Sequence, residues 1–143
     1  MARDLHNSIK RSIAFAPKAA VTDDTAQVST ILDTQNFLSS ELVLATGVLS
    51  DADATFTLLM EEGDDSALSD AAAIADADLL GTEAGASFTF ADDSKVLKIG
   101  YTGRKRYIRA TVTPANNTGN LFLAGVWEQG HPRGASLPTA QKV

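Results

Sequence analysis

The sequence predicts an all-β chain: an antiparallel β-sandwich or barrel, jelly-roll-like, of about seven to eight short strands with an extended N-terminal arm. Two observations carry this. Apolar and polar residues alternate with a period of two in several short segments, as in Ala54-Thr-Phe-Thr-Leu-Leu-Met-Glu61 and Tyr107-Ile-Arg-Ala-Thr-Val112. Clusters of Gly, Asp, Asn and Ser also punctuate the chain at short intervals, as at Asp92-Asp93-Ser94 and Pro114-Ala-Asn-Asn-Thr-Gly119. At 143 residues the length suits one domain. The division expected is an arm over 1–21, a β domain over 22–130 and a tail over 131–143.

Within the arm, Ile9, Ile13, Phe15 and Val21 are the larger apolar anchors after Leu5, and Pro17 stops any helix. The segment Ser8–Pro17 reads as an extended arm or an edge strand. Thr22–Thr25 is a turn, and Ala26–Leu32 is expected as one strand. Glu41–Thr46 follows, apolar on both faces through Leu42, Leu44, Val43 and Ala45. In Ala54–Glu61, Ala54, Phe56, Leu58 and Met60 share the buried side. Ser66–Leu80 is rich in Ala and Asp and suits a short helix or an acidic loop equally. Ala86–Ala91 is expected as a strand with Phe88 and Phe90 on one face.

Lys95–Thr113 is expected to form the central hairpin, turning at Thr102-Gly103-Arg104, with glycine supplying a positive φ. Its second arm would bury Arg106, Ile108, Ala110 and Val112 on one side, leaving Lys105, Tyr107, Arg109 and Thr111 on the other. Leu121–Gln129 is the last strand, with Leu123 and Trp127 opposite Phe122, Ala124 and Val126.

Composition excludes several chemistries. Without cysteine there are no disulfides, thiolate metal sites or Cys nucleophiles. His6 and His131 both lie in terminal segments, and neither is assigned a catalytic role. Asp76/Asp78 and Glu61–Asp65 lack the spacing of a dedicated calcium loop, so solvated acidic loops are the expectation and no metal or cofactor is assigned. No glycine-rich phosphate motif occurs, and the chain is not expected to be an enzyme. Trp127 and Tyr107 read as core residues before they read as a sugar platform. There is no apolar run of the ~20 residues a membrane helix needs, and Met1–Ser12 lacks a secretory apolar core.

Net charge is −6, which argues against nucleic acid as a partner. Its distribution is uneven: every Lys and Arg lies before Ala19 or after Ser94, and the interval carries a long series of aspartates and glutamates. Such segregation suits docking on a charged partner or on another copy, and equally suits acidic loops that serve solubility. The run Arg104-Lys105-Arg106, with Arg109, is expected to pair with an acidic partner surface, such as another copy's 51–93 region, or to guard a strand edge.

The basic N-terminal segment, the stretch ADATFTLLMEEGDD, the Ala/Asp loop running to DADLLG and the turn TPANNTGN together resemble capsid decoration, or cement, proteins of tailed bacteriophages. The resemblance implies a virion protein made in the host cytoplasm. It would bind the outer surface of the expanded capsid, cross-link neighbouring major capsid protein subunits, and act as a dimer or trimer without nucleic acid or membrane. The implied capsid or subunit contacts are Arg3, Lys10, Arg11, Phe15, Lys18, Arg104, Lys105, Arg106 and Arg133. The alternatives are a neck or tail component of the particle, and a carbohydrate-binding or receptor-binding β-sandwich module.

Overall fold

The computed structural model describes residues 4–134. Its strands are β1 Lys10–Phe15, β2 Gln27–Val28, β3 Leu32–Asp33, β4 Phe37–Leu49, β5 Thr55–Gly63, β6 Ala72–Ala73, β7 Leu79–Leu80, β8 Phe88–Thr89, β9 Val96–Tyr101, β10 Tyr107–Ala115 and β11 Leu121–Pro132. A single helical turn, α1 Glu83–Ala86, precedes β8. All pairings are antiparallel. One sheet, A, runs β1-β11-β4-β9-β7; the other, B, runs β2-β10-β5-β6, with β3 also on β10 and β8 also on β5. The two sheets form a sandwich and do not close into a barrel. Successive long strands alternate between them: β4 lies in A, β5 in B, β9 in A, β10 in B and β11 in A. This is the jelly-roll arrangement.

The core fills from two inner faces with the expected alternation. Phe56, Leu58 and Met60 of β5 and Ile108, Ala110 and Val112 of β10 point inward and are at most 2% exposed. Leu42 and Leu44 of β4, Ile99 of β9 and Trp127 of β11 meet them from sheet A. Each large side chain so buried contributes roughly 1.5–3 kcal/mol. The Trp127 indole N–H donates to the Thr30 carbonyl at 3.1 Å, and Phe88 stacks on Phe56 with centroids 4.9 Å apart. Gly125 leaves room for Phe15: a Cβ there would come within 2.9 Å of the Phe15 ring, at the point where β1 shifts register on β11.

Several expectations are corrected. Lys95–Thr113 is not a hairpin, because β9 pairs with β4 and β7 while β10 pairs with β5, β2 and β3. The turn between them crosses from one sheet to the other. Gly103 is not at positive φ. Its missing side chain matters because a Cβ would lie 2.5 Å from the Tyr101 ring. Arg106 precedes β10 and is exposed.

Residues 26–32 are not one strand either. Ser29 hydrogen-bonds to β10 through its amide and its hydroxyl, whereas the Thr30 amide donates to Ala14 O at 2.9 Å and its hydroxyl to Ile13 O at 2.5 Å. The segment therefore stitches sheet B to the edge strand of sheet A. Ala86–Ala91 keeps only the pair Phe88–Thr89 in the sheet; a 3-10 turn at Phe90–Asp92 leaves Phe90 exposed. Ser66–Leu80 is loop, with a 3-10 turn at Asp76–Asp78 and the two-residue strands β6 and β7. The strands number more than expected, and β4, β5, β10 and β11 are longer than short. Residues 10–15 of the segment set apart as an arm supply β1, on the domain's own last strand.

Candidate functional site

The feature that gathers most of the expected contact residues is one end of the sandwich, where β3 leads into β4, β9 into β10, and β11 ends. Three loops meet there. Thr34 joins the first two, its amide donating to Arg106 O at 2.8 Å and its hydroxyl to the same oxygen at 2.9 Å. Asn36, at φ 72°, joins the first and third, accepting the Arg133 amide at 2.7 Å. A left-handed Asn is tolerated because its short polar side chain carries little steric penalty. These bonds place Arg104 and Arg133 on the rim of one depression of about 680 Å³, with Phe37 and Gly103 in its wall. Lys10 reaches the same end, its ammonium 5.5 Å from the Phe37 ring centroid.

Tyr101 organises the crossing loop. Its ring is buried, and its hydroxyl donates to Glu62 Oε2 at 2.5 Å while accepting the Lys105 amide at 2.9 Å. Burial, reinforced by the Glu62 carboxylate, pushes the phenol well above its ordinary pKa, so it stays a donor at any working pH.

The other basic groups of this region are neutralised by the chain itself. Lys105 pairs with Asp64 at 2.5 Å, Arg106 with Asp33 at 2.8 Å, and Arg109 with Glu61 at 2.8 Å. The Arg106 guanidinium beside Asp33 holds that carboxyl below its usual range, against the opposing effect of partial burial. Three of the run's cations, Lys105, Arg106 and Arg109, thus already have carboxylates within the chain, from the loop after β5, from β3 and from β5. Among the described residues, Arg104 and Arg133 make no ion pair.

The remaining contact residues scatter. Arg11 pairs with Glu128 at 2.7 Å on the outer face of sheet A. Lys18 is exposed near Val21 and Leu121, towards the opposite end. Phe15 is 6% exposed and belongs to the core, so its ring is not a surface contact. Arg3 lies outside the described residues.

The opposite end is acidic, and its carboxylates hold turns. Asp51 accepts the Thr118 amide at 2.8 Å and its hydroxyl at 2.9 Å; Asp24 accepts the Asn117 amide at 2.7 Å; Asp93 accepts the Leu49 amide at 2.6 Å. The Thr118 and Asp53 amides hold the Asp51 carboxyl below its ordinary pKa. In the Glu61–Asp65 region, Asp70 accepts the Asp64 amide at 2.8 Å. Among the described residues no three or more acidic, His or Cys side chains form a metal-like cluster, and no helix is long and apolar enough to cross a membrane.

Two features escaped the sequence. A depression of about 950 Å³ lies between the turn at residues 4–8 and the outer face of sheet A, bordered by Leu5, Ile9, Lys98, Glu128 and His131. Beyond it, the outer face of sheet A is largely apolar. The signal for the second was present, since β4 and β11 carry apolar residues at both parities.

No family model matches the chain, and no curated protein matches it. Solved structures do share the architecture. The PBSX exported protein XepA superposes with a TM-score of 0.54 at 13% identity, over 100% of this chain and 43% of its own, so this chain spans less than half of that protein. A protein in the capsid of Ralstonia phage GP4 aligns at TM-score 0.46 and 12% identity, over 92% of this chain and 89% of its own. The xylan-binding module CBM15 aligns at 0.43 and 9%, over 92% and 95%. At 13% identity the likeness to XepA is one of fold alone.

Proposed function

We propose that this protein is a structural component of a tailed-phage particle that docks on the outside of the expanded capsid and ties neighbouring capsid subunits together. The observation that carries the reading is the convergence of Arg104, Arg133 and Lys10 on one end of a molecule whose net charge is −6. Arg104 and Arg133 face solvent on loops already fixed by Thr34, Asn36 and Tyr101, so presenting them costs little ordering entropy. An acidic patch on a capsid subunit is the complementary surface, and bidentate arginine–carboxylate pairs supply its recognition. Individually weak contacts become firm when repeated around a symmetric shell.

The glycan reading loses its proposed platform. Trp127 is 1% exposed, and the Tyr107 ring has the Arg106 guanidinium 5.0 Å from its centroid.

The test is co-sedimentation with bare expanded capsids, with copy number taken from stained gels. Saturation at hundreds of copies per shell, and its loss in an Arg104→Glu, Arg133→Glu double variant with unchanged thermal unfolding, is the expected result. A dozen copies or fewer would move the protein to the neck or tail. Binding that survives the double variant would remove the basic end from the mechanism.

A further inference from the structure

The two outward faces of the sandwich differ in kind. On sheet B the outward positions are Thr55, Thr57, Leu59 and Glu61 of β5 and Tyr107, Arg109, Thr111 and Thr113 of β10, a surface suited to water. On sheet A the register places Ile13, Val126 and Val43 in one row across β1, β11 and β4, and Ala124, Ala45 and Val96 in the next across β11, β4 and β9. Phe122 and Val48 extend the patch. Val96 is 70% exposed, Val48 59%, Ile13 44% and Phe122 40%. An alternating strand that folded alone in water would be expected to carry polar groups at these positions.

We infer that the outer face of sheet A is the interface of a two-fold dimer of this chain. Two observations select a second copy as the occupant. The patch is small-residue at its centre, where Ala45 and Ala124 sit side by side, which lets another sheet pack on it about 10 Å away. Its border carries both signs: Arg11 and Glu128 form one pair, and Lys98, the most exposed charge of the row, stands 3.8 Å from Glu41. A rim of mixed sign complements itself under a two-fold rotation, which repeats the same patch on both sides.

The size also fits. Four strands at a spacing of ~4.8 Å span ~19 Å, and the stretch of β4 from Val43 to Val48 runs ~20 Å at ~3.3 Å per residue, an apolar centre of ~400 Å² within the ~800 Å² that each partner of a standard interface contributes. An apolar centre within a polar rim is the anatomy of such interfaces.

The inference is independent of capsid docking and is measured without capsids, by sedimentation velocity of the full chain from about 1 to 100 μM. The expected result is a dimer whose dissociation constant rises at least tenfold with Ala45→Arg, which sets a long charged side chain at the centre of the face. Val96→Glu at the exposed edge of the patch should weaken it in the same direction and serves if Ala45→Arg lowers thermal stability. Thr57→Arg, the same charge on the outward face of sheet B, should leave the dimer intact. A wild-type monomer throughout the range, a trimer, or a dimer indifferent to both sheet A variants overturns the inference. If the monomeric chain binds capsids and Ala45→Arg abolishes that binding, the face belongs to the capsid and the dimer is equally overturned. A dimer that behaves as expected while capsid binding fails leaves this inference standing and removes only the docking proposal.

Discussion

Replacing Tyr101 by phenylalanine removes one oxygen and keeps the buried ring. That oxygen donates to the Glu62 carboxylate at 2.5 Å and accepts the Lys105 amide at 2.9 Å, so its loss leaves a carboxylate and an amide without these partners. A hydrogen bond to a charged group is worth about 1.5–3 kcal/mol and a neutral one about 1 kcal/mol. Lys105 is exposed and Glu62 is half-buried, so water recovers part of both, and a net loss of about 2 kcal/mol remains. For a chain of this length that lowers the thermal midpoint by roughly 6–8 °C. The assay is circular dichroism melting of Tyr101→Phe beside Tyr107→Phe, whose half-buried ring has no hydroxyl bond of this kind. Trypsin should also cut at Arg104 or Lys105 faster in Tyr101→Phe, because the crossing loop loses its anchor. A midpoint within 2 °C of wild type with an unchanged cleavage rate would refute the view that this phenol holds the crossover.

Gly103→Ala presses a methyl group onto the same ring from a distance of 2.5 Å, and should cost about 1–3 kcal/mol in urea unfolding, with the loop again the site of faster proteolysis. Ile108→Asp places a charge at a 0% exposed position of β10, and the chain should lose its cooperative thermal transition; a near-native melt would show the register of β10 to be wrong. Stability should be flat from neutral pH to about pH 5 and fall below about pH 4. The Asp33 carboxyl is lowered by Arg106, and Asp51 by the Thr118 and Asp53 amides, so their contribution is present above the unfolded pKa and is lost as pH falls through the folded one. Thermal midpoints of wild type and Asp33→Asn between pH 2 and 7 check this, the variant showing the shallower acid limb.

How far the fold could be read depended on the range of the interaction concerned. The buried residues of β5 and β10 were legible because alternation is a local property, and each strand shows it over several residues. Pairing was not, because it is decided by which sheet each strand joins. The turn at Thr102–Arg106 has the composition of a hairpin, yet Tyr101 packs into the core and its hydroxyl pulls the chain across to Glu62. Ala26–Leu32 has the composition of one strand, yet Ser29 and Thr30 bond to different sheets. At the candidate site, the basic residues were legible as a run, but their partners were not: Asp33 and Asp64 lie many residues away and reach Arg106 and Lys105 only through the antiparallel packing. The apolar outer face of sheet A was visible as residues of both parities in β4 and β11, but not as a surface until the register joined them to β1 and β9.

The same crossing topology changes what the segregated charge can do. Along the chain, cations and carboxylates are far apart; in the fold, β10 lies against β5 and β3, and the middle of the molecule becomes a set of short ion pairs. Exposed pairs of this kind contribute little to stability, about 0–1 kcal/mol each, but they cancel most of the long-range field on that side. Docking through the basic end then depends on Arg104 and Arg133, with Lys10 behind them, and not on the whole basic run. Two or three cations acting over a Debye length of about 10 Å at 0.1 M salt give a modest salt dependence. Capsid binding measured from 50 to 300 mM NaCl should therefore decline gradually. A collapse across that range would mean that the Lys105, Arg106 and Arg109 pairs open on the capsid and that the run acts as one basic surface.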